Sequence, residues 1–513
     1  MPGVVTKKFR FHNADQFKEA FGETASTKMY AFFGRVNPFP NENSPPTPAD
    51  TIQETDIESW RNIIQMKRVT SSDVTFGAPR YDWTSGTSYA MYKSNDADLF
   101  ANTYYVLETD TNNVYKCLFN NNKAGSSGAS TVRPSGTSTG ELRTSDGYIW
   151  KYMYTLDSAD TSRFLVSTHF PVSNNATVQG AAVNGAVQIV EVTAGGSSYR
   201  ANTGTVASVA SATKLNLETA ASATDGFYTN STIYIATGTG AGQLRDIVAY
   251  LGSTRTVTVN TGFSPSPTDS STYVVGPKIK IRGDGNQATL AYANTVAGGA
   301  IKIIDVIATG NNYSFANVAI TANGGSSATA VAHIAPESGH GSNPQRELPA
   351  YNVILSTTLS GNVSNTMVTN NDFRVIGLVN DPVVDSTGVV ATTAQFDQTT
   401  KLVLTSVSGD FTSDEIIISN RNTKGRVVRF ANSNATGTTG TLTIANIQPN
   451  GNGGSFIATQ TITGNASSVT ATISSVTAPP IRPYSGEIVY KENRVKVTRS
   501  EDQTEDIKLV VKF

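Results

Sequence analysis

Ile189-Val190-Glu191-Val192-Thr193-Ala194-Gly195-Gly196-Ser197-Ser198-Tyr199 recurs later in the chain as Ile303-Ile304-Asp305-Val306-Ile307-Ala308-Thr309-Gly310-Asn311-Asn312-Tyr313. Each stretch reads as a strand, a glycine turn and a tyrosine. A second element recurs with it: Gly283-Asp284-Gly285 ahead of Ala288-Thr289, and Gly324-Gly325 ahead of Ala328-Thr329. One copy is too small to bury its own apolar face, so two copies are expected to stack and share a core. The first copy is split near 203–277 by a segment with hairpin signals of its own: Ser231–Ala236, the turn Thr237–Gly242, then Asp246–Tyr250 and Arg255–Val259. A weaker repeat lies downstream. Phe411, Glu415–Ser419 and Val427–Phe430 parallel Phe456, Gln460–Thr463 and Val469–Ile473.

Working outward, composition agrees with a β-rich chain. The 513 residues carry 39 Lys+Arg against 40 Asp+Glu, and only 15% are charged, against about 25% in an ordinary soluble protein. This length suggests about three to five domains. Balanced charge argues against a nucleic-acid partner, which would call for a basic stripe. No run of about 20 apolar residues predicts a spanning helix, and the start, Met1 to Lys8, lacks the apolar core of a signal peptide. A single cysteine, Cys117, excludes an intrachain disulfide framework, and the four histidines (His12, His169, His333, His340) are scattered. No cofactor, metal or membrane insertion is expected.

Charge is unevenly spread. It is about 20% over 1–175 and about 10% over 176–340, low again over 384–480, and high in the tail. The fold class expected is therefore mainly β with a few short helices, a β-rich α+β protein of several domains. A discontinuous β scaffold (1–175, 341–383, 481–513) would carry two β-rich insertions (176–340, with the nested module at 203–277, and 384–480). Asn13 is read as the cap of a short helix bearing Phe17 and Phe21 and ending at Gly22. Thr55-Asp56-Ile57-Glu58 reads as a capping box, opening a helix with Ile57, Trp60 and Ile64 on one face. Ser44-Pro45-Pro46-Thr47-Pro48 must be an extended loop. Strands are predicted at Thr103–Leu107, Val114–Phe119 and Tyr148–Tyr154, the last with Tyr148, Trp150, Tyr152 and Tyr154 on one face. Pro479–Pro483 reads as a stiff linker. Strands within 484–513 are expected to complete a sheet begun by residues 1–12.

Reactive constellations are scarce. Gly238-Thr239-Gly240-Ala241-Gly242 lacks the Lys-Ser/Thr of a phosphate loop and reads as a hairpin turn. Asp284 and Asp305 lie near glycines, but no Asp-x-Asp-x-Asp run supplies the oxygens that calcium needs, so they read as turn formers. His340, between Gly339 and Gly341, reads as a loop residue, and Cys117 as a small buried hydrophobe. No catalytic, cofactor-binding or metal-ligating residue is assigned, and no enzyme activity is expected.

The charged parts of the chain carry a series of motifs. These are Phe33-Gly34-Arg35, followed by the Pro-rich loop and Trp60; Pro79-Arg80-Tyr81-Asp82-Trp83; Tyr115-Lys116-Cys117-Leu118; and Asp146-Gly147-Tyr148-Ile149-Trp150-Lys151-Tyr152. A shorter one runs from Phe373-Arg374-Val375-Ile376 to Asn380-Asp381-Pro382. The tail adds Tyr484-Ser485-Gly486-Glu487-Ile488-Val489-Tyr490-Lys491-Glu492-Asn493-Arg494 and Asp502-Gln503-Thr504-Glu505-Asp506-Ile507. In type and order this series resembles the baseplate wedge protein of T-even-like myophages known as gene product eight. The resemblance covers about half the chain, 1–175, 341–383 and 481–513. It implies a non-enzymatic virion protein of a contractile tail, mostly β and multi-domain. Such a protein is assembled in the host cytoplasm, homodimeric, and bound to other baseplate wedge proteins. It implies nothing about the insertions. Trp60, Trp83 and Trp150 are candidate interface anchors on this reading, with core packing the competing role. A second reading makes the chain a receptor-binding or glycan-binding tail protein, in which Tyr199, Tyr228 or Tyr313 of the insertion would face a host surface glycan.

Overall fold

The computed structural model describes residues 4–23, 27–125, 127–360, 369, 371–433, 437–448, 455–500 and 502–513. The chain is mainly β with a few short helices. It divides into two compact units, Met1–Gly77 with Tyr351–Phe513, and Ala78–Ala350. The composition steps lie elsewhere, at 175/176, 340/341, 383/384 and 480/481.

In the first unit a five-stranded antiparallel sheet runs in the order Gln395–Asp397, Ile63–Arg68, Met29–Gly34, Asn371–Asn380, Glu487–Arg499. A second sheet places Asn352–Ser360 between Thr504–Lys512 and Val74–Pro79. Phe33, Ile64, Phe373, Ile376, Leu378, Val353 and Leu509 form one core cluster shared by the two sheets. The chain start does not begin a sheet. Lys7–Ala20 is a helix that starts well before Asn13 and follows Thr6, so the terminal strands are completed by internal strands instead. The predicted Phe17–Phe21 pair is present, its rings edge-to-face at 5.2 Å, and Phe17 also packs on Phe513. The second helical segment is capped by Thr51, which accepts from Glu54 N, rather than by Thr55. It ends at Asn62, so Ile64 belongs to a strand. Pro479–Pro483 is no free linker: buried Ile481 exchanges hydrogen bonds with Gln398 in both directions.

The downstream repeat of this unit closes into a six-stranded barrel. Equivalent residues pair with each other at its pseudo-twofold centre, where Ile418 faces Thr463. Asn420 N donates to Thr461 O and Asn465 N to Ile416 O, each at 2.9 Å. The turns match too. Asp414 and Thr459 both have positive φ, and their N–H groups donate to Val427 O and Ile473 O. Phe411 and Phe456 fill the barrel core.

The second unit holds the stronger repeat. Its sheet runs Leu290–Ala297, Ala300–Ala308, Val187–Ser197, Ser326–Ile334, and the repeated strands meet at Val190 and Ile304, which are equivalent positions. The copies exchange their plugs. Tyr199 packs on Gly325 and its Oη accepts from Ala328 N, whereas Tyr313 packs on Gly285 and its Oη accepts from Thr289 N. A Cβ on either glycine would fall within 3.0 Å of ring carbons, so only glycine fits there. The nested module is a seven-stranded sheet with its own core of Leu215, Ile233, Ile235, Val257, Tyr273 and Val275. Gly238–Gly242 forms the predicted hairpin turn between Ser231–Thr237 and Leu244–Leu251. The aromatic strand is Tyr148–Thr155, in a four-stranded sheet with Tyr105–Glu108, Asn113–Asn120 and Glu141–Arg143.

Candidate functional site

In the first unit, motifs from distant parts of the sequence converge on the Pro-rich loop. Arg374 donates from Nε to Glu42 and from Nη1 to Val36 O at 2.8 Å. From the neighbouring strand Asn493 Nδ2 donates to Pro46 O at 2.8 Å, and Lys491 Nζ pairs with Glu54 at 3.0 Å. Gly34 ends its strand, and Arg35 follows with a left-handed φ of 59°, its guanidinium 4.2 Å from the Phe39 ring centroid. Beside them lies a cavity of about 200 Å³, with Arg35, Phe39, Glu54, Glu58, Lys491 and Asn493 in its wall. Burial, with the Arg374 charge behind it, draws the Arg35 guanidinium below its ordinary pKa, against the opposing pull of Glu58.

The rest of the tail motif works locally. Glu492 accepts from Tyr490 Oη and pairs with Arg494, whose Nη2 donates to Lys508 O. Ser485 Oγ accepts from Val383 N and donates to Arg482 O. Gly486 is exposed, and Glu487 pairs in register with Asn380. Asp502 and Gln503 each accept from Ser500 Oγ in the final turn. Thr504 opens the last strand, and Glu505 is buried against Arg499 at 3.0 Å.

In the second unit Arg80 makes two bonds to Asp82, at 2.7 and 2.9 Å. Trp83 Nε1 donates to Ser130 Oγ. Asp146 gathers a whole loop, accepting from Thr131 N, Val132 N, Thr144 Oγ1 and Tyr148 N. Burial alone would raise its pKa, but these hydrogen bonds hold it below the ordinary value. Gly147 forms the exposed turn, and Tyr148 and Trp150 stack in the core at 5.4 Å. Tyr152 is buried beside them, with its Oη 2.6 Å from Thr155 Oγ1.

These placements decide several expectations. Trp150 and Phe33 are fully buried and Trp60 nearly so, which gives them core roles and removes Trp60 and Trp150 as interface anchors. Trp83 is only half-buried. Tyr199, Tyr228 and Tyr313 are buried, so none offers a face to a sugar. Asp284 does cap a turn at Ser314 and Phe315, but Asp305 lies mid-strand, bound to Asn294 and Arg143. Cys117 is buried, and burial pushes its thiol pKa up.

Two buried ionic clusters escaped the sequence reading. Lys116 Nζ pairs with the Glu347 carboxylate, which also accepts from Gly341 N at 2.8 Å and Asn343 N at 3.2 Å. His340 lies 3.8 Å from that carboxylate and edge-on to Tyr92, so this loop histidine is buried. Glu191 binds Lys93 at 2.7 Å, Asn122 at 2.8 Å and His333 at 2.9 Å. The only forward signal for either cluster was a charged residue inside an apolar strand, Lys116 in Val114–Phe119 and Glu191 in Ile189–Val192. Their partners come from remote parts of the chain that no spacing predicts: loops for Lys93, Asn122 and His340, a short helix for Glu347 and a strand for His333.

Among the described residues no three His, Cys, Asp or Glu side chains are placed to hold a metal ion, and no helix is long and apolar enough to cross a membrane. What the motif residues do chemically is cross-link: they pin loops to strands through charge-balanced contacts. No protein-family model matches the chain, and no curated protein matches it.

Proposed function

We propose that the chain is a structural virion protein, a wedge subunit in the baseplate of a contractile phage tail. It acts by assembly with other wedge proteins, as a homodimer and without catalysis. The observation that carries this reading is the ordered motif series. Its members at 33–35, 44–60, 373–376 and 484–494 come together at one loop in the fold, which fits motifs that build one scaffold. A second feature supports assembly. Among the described residues Glu487–Arg499 is an edge strand with Val489 and Val495 exposed, and a strand edge can be a template for a partner chain.

The test is light scattering after size exclusion, followed by capture of the separately purified baseplate proteins of the same virion. A dimer that retains wedge proteins is expected. A strict monomer that retains none of them overturns the reading.

A further inference from the structure

The nested module and the repeat it interrupts form a groove of about 540 Å³, lined in part by Arg245, Asp246, Asn260, Lys278, Lys280 and Arg282. Residues 176–340 contain eight Lys/Arg and eight Asp/Glu. Four of those cations line this groove, against a single carboxylate. The strand Ile279–Gly283 sets the arrangement. Ile279 and Ile281 turn into the core, which puts Lys278, Lys280 and Arg282 on the opposite face, about 6.6 Å apart.

The charge is largely uncompensated. Lys278 pairs with Asp246. Arg245 donates only to neutral acceptors, namely Gly262 O, Leu244 O and Gln243 Oε1. Lys280 and Arg282 have no ion-pair partner among the described residues, and the nearby Asp284 carboxylate is turned to Ser314 and Phe315. Among the described residues no aromatic side chain lines the groove, so none there stacks a nucleic-acid base. Asn260 and Thr261 offer hydrogen-bonding groups beside the cations.

We propose that this groove binds an anionic polysaccharide, with Lys280 and Arg282 taking its carboxylate or phosphate groups and Asn260 and Thr261 its hydroxyls. The inference rests on the groove alone. Wedge assembly can fail with the groove intact, and the groove can fail with assembly intact.

The test is titration of the full chain at low salt with polygalacturonate and with a glycerol-phosphate teichoic acid. Dextran, a thymidine oligonucleotide and polyglutamate serve as comparisons. At least one acidic polysaccharide should bind, in preference to all three comparisons and more weakly as salt rises. K280Q/R282Q should weaken that binding about tenfold per charge removed. K214Q, at an exposed lysine outside the groove, should leave it unchanged. Failure of both acidic polysaccharides to bind overturns the proposal, as does undiminished binding by a folded K280Q/R282Q variant. Equal or tighter binding of the oligonucleotide or polyglutamate overturns the assigned ligand class.

Discussion

Tyr199 of one repeat copy packs on Gly325 of the other, and Tyr313 returns the contact on Gly285. The exchange makes each copy a structural part of its twin. Gly325→Ala and Gly285→Ala should each cost about 1–3 kcal/mol by overpacking, and Tyr199→Phe about 1 kcal/mol through loss of its bond from Ala328 N. Urea unfolding measures both. A Gly325→Ala variant as stable as the parent would remove the plug from the account of this fold.

The Lys116–Glu347–His340 cluster predicts acid sensitivity in two stages. Burial, helped by the Lys116 charge, lowers the His340 pKa from 6.5 to about 3, so the folded state holds the ring neutral. Unfolded chains bind that proton first, and stability should fall by about 1.4 kcal/mol per pH unit as pH drops below the unfolded histidine value. The Glu347 pKa is lowered as well, which for a carboxylate favours the charged form. Burial raises its pKa, but the Lys116 charge outweighs burial and holds it at about 2. Its stabilisation is complete above the unfolded carboxyl value and is lost as pH falls towards 2. His340→Asn should flatten the upper stage in denaturation curves taken across this range. Glu347→Gln should cost about 3–5 kcal/mol at neutral pH by stranding the buried Lys116 charge.

Asp146 holds the loop at 130–132 through two backbone N–H groups and Ser130 Oγ. Asp146→Ala should release that loop at a cost of about 2–3 kcal/mol. Hydrogen exchange at Thr131 and Val132 should accelerate most, whereas the neighbouring strand Asn113–Asn120 should keep its protection.

The barrel offers an internal comparison. Glu415 and Gln460 occupy equivalent positions and accept from Thr412 N and Ile457 N respectively. Glu415 additionally accepts from Ala466 N, Ser467 N and Ser467 Oγ. Glu415→Ala should therefore destabilise by about 2–4 kcal/mol and Gln460→Ala by only about 1–2 kcal/mol. Equal losses in thermal unfolding would show that the extra bonds contribute nothing.

The β-rich class and both repeats were legible because strand periodicity and turn glycines are local signals, written in consecutive residues such as Ile189–Tyr199. Element starts were less legible. Thr6 precedes the first helix without a side-chain cap bond, so its start at Lys7 left no mark, whereas Asn13, a good cap by type, sits inside the helix. The candidate site was half legible. Arg35, Arg374 and Asn493 could be singled out as motif members. Their convergence on Pro46 and Glu42 could not, because it depends on the pairing of Asn371–Asn380 with Glu487–Arg499 across a long stretch of chain. Exposure was the other gap: an aromatic at a strand end reads alike whether it plugs a glycine turn, as Tyr313 does, or faces solvent.

The nested module leaves and rejoins its host at neighbouring strands, with Asn202 paired to Val275. Its two attachment points therefore lie about one strand spacing apart, and its core is its own. Such a port accepts cargo. The module can be cut out and closed with a short turn, or exchanged for a different domain with adjacent ends, while the reciprocal tyrosine plugs of the host stay in place.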